Sequence, residues 1–547
     1  MRISSIPQIY RHGYRSTEIF TVLSRYGLAD WLGRVGLGPK STGGATIAHS
    51  PWETRVRMAL AELGPTFIKL GQVLSTRPDL VGVRLADELK HLQADVPGDS
   101  AEQVRKTIEL ELGRPVSDLF AEFDGEPMAS ASIGQVHRAR LKTGEAVVVK
   151  VQHADIQRKI EVDLDILGGL AMLAEMNADL QNYRPRAIAA EFHRTLMREL
   201  DFGREQRQML QFSRDFSGNP CVHIPRPYPE LSTSRVLTME LIEGIKLEEH
   251  ERLAEEGFDL SELARTGARL YLDMIFGNGF YHADPHPGNV LIMDGNVIGL
   301  LDFGMVGRID ERLQEDIEEA LIALSNQDAE HLAAVIVRVG KVPPELDRVA
   351  LALDLTDFIS HYTTQQVDDF DVGGALREMV ELIRRYRIRL PARIAMLIKV
   401  LITLEGTAQL LNPQFNLLEI MQPYRKKMLL RRYSPKRHLR RLQRFYSDLE
   451  QLLRILPQGI VDILEQVQSG AFDVHLDHRG LEPSVNRLVL GMLASALFLG
   501  SSLLLSNKVP PQVGDVSLLG VTGCLAAIFL GLRLWRAINK SGRLDRR

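Results

Sequence analysis

Asp284 is followed five residues later by Asn289, and Asp302-Phe303-Gly304 begins thirteen residues beyond that asparagine. Two carboxylates and an amide in this order suit phosphoryl transfer. Asp284 would accept or orient the proton of an attacking hydroxyl or water, while Asn289 and Asp302 offer the hard oxygen ligands that Mg²⁺ prefers. Upstream, "AVVVK" ends a β-prone run at Lys150, whose ammonium would reach the α- and β-phosphates of ATP or ADP if a carboxylate held it. The stretch "MRELDFGREQ" offers Glu199, Asp201 and Glu205 for that purpose. Asp201 and Glu205 are spaced to share one helix face. Glu205 is the favoured partner of Lys150, with Glu199 as the alternative. A lone Asp-Phe-Gly is weak evidence; the ordered set with its upstream lysine is strong.

A phosphate-covering loop is expected before the lysine strand. In its place stand Ala129, Ser130, Ala131, Ser132, Ile133, Gly134, Gln135 and Val136, where a protein kinase would have G-x-G-x-x-G-x-V. Two methyl groups replace hydrogens where the backbone must close over phosphate, so the nucleotide should sit in an altered pose. Glu240, at the end of the strand-like "SRVLTME", is assigned to the nucleotide site as well. After Gly304 the chain soon enters the amphipathic "DERLQEDIEEALIAL" with no A-P-E segment, which leaves hardly any room for an activation loop or a peptide platform. His282 and His286 lie four residues apart on a Pro-broken loop, and without a third ligand they read as backbone hydrogen-bonders rather than a metal pair.

The elements that must position these groups follow from periodicity. Val56, Leu60, Leu63 and Phe67 mark a helical pattern from Trp52 onward. Three strands are expected: one entering the Ala-rich loop, then Val136 to Leu141 and Ala146 to Val151, with a turn at "KTGE". Helices are expected from Ile156 to Met176 and from Arg186 to Phe216, and again beyond Leu260. The fold class predicted is α+β, a bilobal protein-kinase-like fold with an N-terminal helical extension and a C-terminal transmembrane helical hairpin. Its parts are 1–118, 119–245, 246–425, 426–485 and 486–547.

Between about residues 52 and 410 the chain resembles the AarF/UbiB group of atypical kinase-like proteins. "KLGQVLSTRPDL" carries that family's K-x-G-Q signature at Lys69, Gly71 and Gln72; "ASASIGQVH" is similar to its Ala-rich loop, "ELDFGRE" to its E-x-D element, and "HADPHPGN" with "DFG" to its active centre. The resemblance implies that the K-x-G-Q helix folds across the place where a peptide would bind, with Lys69 facing Glu199 or Asp201. It further implies nucleotide binding, slow ATP hydrolysis at a membrane, little protein phosphorylation, and a role in ubiquinone biosynthesis with quinone precursors or their enzymes as partners.

Composition agrees with a globular body. The 547 residues carry 45% hydrophobic and 25% charged residues at a net charge of −4, which argues against a dedicated nucleic-acid binder. Two distant cysteines, Cys221 and Cys524, build neither a disulfide framework nor a thiolate metal site. At the C-terminus, uncharged runs at 488–506 and 516–532 are each long enough to span a bilayer, joined by the turn-rich "NKVPPQVGD". Arg487 before them and Arg533, Arg536, Lys540, Arg543, Arg546 and Arg547 after them place both outer ends, and the body, in the cytoplasm; that the membrane is the inner membrane of a bacterium is what the resemblance implies. The basic stretch from Tyr424 to Arg441 fits either an anionic lipid surface or a solvated helix face. The first residues show no secretory signal, but they are basic and free of acids until Glu18, as a transit peptide would be.

Overall fold

The computed structural model describes residues 13–28, 50–92, 97–176, 184–363, 370–432, 450, 481–507, 509–513 and 516–540. Contacts divide the chain into two units, Met1–Arg437 and His438–Arg547.

The first unit is a kinase-like α+β body preceded by helices α1 (Gly13–Arg25), α2 (Trp52–Leu63) and α3 (Pro65–Ser75). Pro65 opens α3 where a helix needs no N–H partner. Phe67, Ile68, Gly71 and Ser75 form part of its buried face. Gly71 allows close packing: a Cβ there would lie 2.1 Å from Leu92 Cδ1 and 3.1 Å from Leu60 Cδ1. Arg77 grips Asp79 through two bonds of 2.9 Å and donates to the Leu390 carbonyl at 3.1 Å, tying this extension to the helical part of the body.

Helix α4 (Ala101–Leu112), started by a Ser100–Gln103 capping box, precedes β1 (Phe120–Ser130), β2 (Gly134–Leu141) and β3 (Ala146–Gln152). With β4 (Val222–His223) elsewhere and β5 (Val236–Glu240) beside β3, the sheet order is β1-β2-β3-β5, antiparallel throughout. Val147, Val149 and Val151 are fully buried in one cluster with Val104 and Ile108 of α4. The two-residue period therefore turns Lys150 to the opposite face, where the site lies.

Helix α5 (Ile156–Glu175) is followed by two helices, α6 (Pro185–Glu199) and α7 (Phe202–Asp215), where one continuous helix was expected. The break has a tertiary cause. Gln152 Nε2 donates to the Leu200 carbonyl, and the Phe202 N–H donates to Ser234 at 2.9 Å, so the sheet captures peptide groups that an unbroken helix would use.

The remaining strands are β6 (Ile245–Lys246), β7 (Phe280–His282), β8 (Val290–Met293), β9 (Val297–Leu300) and β10 (Val306–Arg308). They form a β4-β9-β8-β6 sheet and a separate β7/β10 pair in which His282 opposes Val306. Helices α8 (Leu260–Leu272), α9 (Glu311–Ser325), α10 (Ala329–Val339), α11 (Arg348–Thr363), α12 (Val372–Arg385), α13 (Ala392–Leu411) and α14 (Leu417–Arg432) complete the body. Phe303 of the Asp-Phe-Gly turn is buried, 5.2 Å from Phe212 between ring centroids, and anchors that turn in the core.

In the second unit, α15 (Leu481–Ser506) and α16 (Leu518–Lys540) pack on each other. Gly520 permits the contact, since a Cβ would lie 2.6 Å from Leu505 Cγ. Three described helices are long and apolar enough to cross a membrane. Ala392–Leu411 is half buried and serves the body's core, whereas Leu488–Ser506 and Leu518–Arg536 are each only 11% buried. Two long apolar helices left this exposed suggest membrane anchoring. Most of the expected basic region 426–485, the residues before Gly13 and those after Lys540 lie outside the described residues.

Candidate active site

Lys150 Nζ stands 2.8 and 3.0 Å from the two Glu205 carboxylate oxygens and 3.5 Å from Asp302 Oδ1. Lys69 of α3 pairs instead with Glu199, at 2.9 Å. Asp201 takes neither lysine. It sits at the start of α7 with an extended backbone (φ −93°, ψ 91°) and bonds Arg207 at 3.1 Å, so the helix break removes it from the Glu205 face that spacing had given it. Gln72, half-buried on α3, accepts the Ser75 hydroxyl through its carbonyl.

Each charge is set by its neighbours. Burial works against the Lys150 ammonium, yet Asp302 and Glu205 outweigh it and hold the pKa well above the ordinary lysine value. Lys150, with Lys69 adding to it, holds the Asp302 carboxyl far below the usual carboxylate range, although its side chain is 55% exposed. Lys69 is likewise raised, its burial outweighed by Glu199 and Asp302. Burial lifts Glu205 above its usual range, with Lys150 pulling the other way. Asp302 also carries a positive φ of 52°, a left-handed conformation that Asp tolerates better than most side chains and that collects at functional turns.

His282 joins the two catalytic segments. Its Nε2 lies 3.0 Å from the Leu301 carbonyl and 2.9 Å from that of Asp302, and carbonyls only accept, so Nε2 carries the proton. Nδ1 then accepts from the Asp284 N–H at 3.3 Å. The Leu301 N–H donates to the Asn289 carbonyl at 2.9 Å, and Asn289 Nδ2 donates to Asp284 Oδ2 at 2.8 Å. Asp284, Asn289 and Asp302 thus share one neighbourhood. His286 Nδ1 accepts from the Gly288 N–H at 3.1 Å, and among the described residues no three His, Cys, Asp or Glu side chains gather as a metal cluster.

The Ala-rich segment is a pinned turn. Ala131 N–H donates to Gly134 at 2.9 Å, His153 Nε2 donates to the Ala131 carbonyl at 2.9 Å, and the His153 N–H donates to Ile133 at 3.0 Å. Asp99 braces His153 at 3.2 Å and accepts from Ala154 at 2.8 Å, while its own N–H donates to Gln135 Oε1 at 2.7 Å. Ala129 and Ala131 are exposed; Ser132, Ile133, Gly134 and Gln135 are buried, and Val136 is opposite Lys150. Gly134 is required by close approach, because a Cβ would fall 2.5 Å from the Val151 carbonyl oxygen. A freely mobile flap is therefore not what these residues build.

Glu240, assigned to the nucleotide site, ends β5, and its carboxylate is engaged by His223 Nε2 at 3.1 Å and by the Arg226 N–H at 3.0 Å.

Spacing gave no indication of Lys399, which reaches Asp284 Oδ1 from α13 at 3.4 Å. The available signal was a solitary lysine in "IAMLIKVLITL", since a cation in an apolar helix needs a partner.

The residues present fit a magnesium nucleotide. Asn289 donates through its amide nitrogen, leaving its oxygen for a cation beside Asp302. Among the described residues, Ser130 Oγ and Gln135 Nε2 are buried without hydrogen-bond partners next to the turn.

A strand lysine fixed by a helix glutamate, a DxxxxN loop and an anchored DFG turn define a kinase-like domain, a class that implies nucleotide binding. After Gly304 the chain pairs through β10 and enters α9 at Glu311, so no peptide platform intervenes. The chain belongs to the ABC1/UbiB family. It matches the ABC1 atypical kinase-like domain over residues 91–336, the UbiB helical domain over 355–416 and the ABC1/UbiB kinase-like C-terminal domain over 475–540. It is 35% identical over 418 residues to "Probable protein kinase UbiB" of Pseudomonas fluorescens, covering 76% of this chain and 78% of that one. It is 33% identical over 470 residues to the protein of that name from Azotobacter vinelandii, covering 85% and 86%. A Clostridium pasteurianum protein, "Uncharacterized protein in hydrogenase 1 5'region", is 30% identical over 542 residues, 97% and 99% of the two chains.

Proposed function

We propose that the chain is a membrane-anchored, kinase-like ATPase that binds Mg-ATP or Mg-ADP and supports the biosynthesis of ubiquinone or a related isoprenoid quinone, with little phosphorylation of proteins. The observation that carries this reading is the placement of Lys69. It sits on α3, paired with Glu199 and close enough to Asp302 to bias its charge, where a protein kinase would leave room for substrate. Lys150, locked by Glu205, is aimed at phosphate oxygens. Asp302 and Asn289 would hold magnesium, which supplies charge neutralisation on the phosphates when bound. Asp284, oriented by the Asn289 amide and Lys399, takes the proton of the attacking water.

The body lies on the cytoplasmic face of a bacterial inner membrane in this reading, held by the α15/α16 pair and drawn to anionic lipid. Quinone precursors or the enzymes that modify them are its partners, and nucleic acid is not. A second reading, a kinase acting on a small molecule or lipid, is favoured by the intact Asp284–Asn289 pair; a nucleotide-switched scaffold would need neither residue. Full-length protein in anionic vesicles should hydrolyse ATP in a Mg²⁺-dependent manner that Asp302→Asn abolishes. Undiminished hydrolysis by that variant sinks the assignment, and radiolabel from [γ-³²P]ATP appearing in extracted lipid would select the kinase reading.

A further inference from the structure

A cavity of about 430 Å³ lies among the helices of the body. Leu321 of α9, Ala375 of α12 and Leu397, Ile398 and Leu401 of α13 line it, with Phe276 from the segment that leads into β7. Among the described residues, its only polar lining side chains are Asp316, Ser325 and Tyr362. Two of these are engaged: Asp316 accepts from Arg338 at 2.9 Å, and the Tyr362 hydroxyl donates to Glu378 at 2.8 Å. Water is poorly held in such a space, because an ordered water needs two to four polar partners. Leaving it empty forfeits the dispersion contacts of its lining. Its volume falls in the range of roughly 300–1,000 Å³ typical of pockets that enclose small organic ligands.

The lining also states what the guest is. With hardly any hydrogen-bonding group turned inward, a headgroup finds nothing to recognise it, and only apolar bulk is rewarded. Hydrocarbon is at hand, since the same chain carries two long, exposed apolar helices that suggest membrane anchoring. We propose that this cavity binds a single hydrocarbon tail, isoprenoid or acyl, of a membrane-derived lipid. The site uses none of the phosphoryl-transfer side chains, although α13 walls the cavity with Leu397, Ile398 and Leu401 and carries Lys399 to Asp284. Its test is therefore separable from that of the nucleotide reading.

The full chain in phosphatidylcholine nanodiscs is irradiated with a diazirine-bearing farnesol or a diazirine-bearing palmityl alcohol, and the adducts are mapped by peptide mass spectrometry. Adducts on peptides containing Leu321 or Leu397–Leu401 are expected, over and above those that any bilayer probe leaves at 488–536. Ala375→Trp, which fills the cavity, should lose the former and keep the latter, with ATP binding retained as proof of folding. Should that variant fail to fold, excess unlabelled farnesol or palmityl alcohol added to wild type should erase the cavity adducts alone, and the better competitor identifies the tail. The proposal is overturned if adducts stay within the hairpin. It is equally overturned if neither the substitution nor the competitor changes the labelling.

Discussion

Lys399 Nζ lies 3.4 Å from Asp284 Oδ1, although 115 residues separate the two in the chain. The ammonium comes from an otherwise apolar stretch of α13, and its side chain is only 14% exposed. A cation this enclosed is retained where it has a partner. Here the partner is the proposed proton acceptor, so the helical part of the body contributes directly to the catalytic loop. Lys399→Met should lower kcat for ATP hydrolysis by about 10- to 100-fold, less than the roughly 100- to 10,000-fold that a positioned proton-transfer group itself contributes. KM for ATP should change far less, and Lys399→Arg should recover part of the loss. Steady-state kinetics on the two variants decides it; a loss confined to KM would make Lys399 a nucleotide contact instead.

Glu205 is almost fully enclosed and holds the Lys150 ammonium through both oxygens. Removing one member of a buried pair strands the other, at a cost of roughly 3–5 kcal/mol. Asp302 remains near Lys150, so Glu205→Ala should fall at the lower end, about 3 kcal/mol of unfolding free energy by urea titration. The same variant should weaken ATP binding. A stability change below the error of the titration would contradict the pairing.

The Asp302 carboxyl is held below its usual range, chiefly by Lys150, so its ionised form is favoured in the folded state. Stability from such a group is complete above the unfolded carboxylate pKa of about 4 and is lost as pH falls through the lower folded value. Asn mimics the neutral carboxyl and accepts a positive φ. The stability gap between wild type and Asp302→Asn should therefore be constant from about pH 5 to 8 and narrow only at more acid pH. Urea titrations across that range measure it; a gap that grows on acidification would reverse the sign.

Ala131 holds the pinned turn through its N–H to Gly134 and its carbonyl to His153. Ala131→Gly frees the unfolded chain more than the folded one, costing about 0.4–1 kcal/mol of stability. It should also change the ratio of ATP to ADP affinity, read by calorimetric titration of each nucleotide. An unchanged ratio would separate the turn from phosphate recognition.

Much of this architecture was legible in the sequence because it is local. The β-branched run around Lys150 announces β3, and the spacing of Asp284, Asn289 and Asp302 announces the strand–loop–strand that carries them. What stayed hidden depends on distant partners. The break at Leu200 and Asp201 comes from Gln152 and Ser234, and it redirects Asp201 to Arg207. Glu240 is engaged by His223, and Lys399 meets Asp284 only after the four intervening helices α9–α12 have packed. Helical periodicity carries no information about which carboxylate a folded neighbour will capture.

The account rests on Lys150, Asp284, Asn289 and Asp302 serving one magnesium nucleotide, and equilibrium ATP binding with and without Mg²⁺ tests this most directly. Full-length wild type should bind ATP more tightly when Mg²⁺ is present, by about tenfold or more if the cation bridges protein and phosphate, a gain of about 1.4 kcal/mol. Asp302→Asn should keep a folded body and lose that gain. An equal Mg²⁺ effect in both proteins, or no ATP binding by wild type, would contradict the claim.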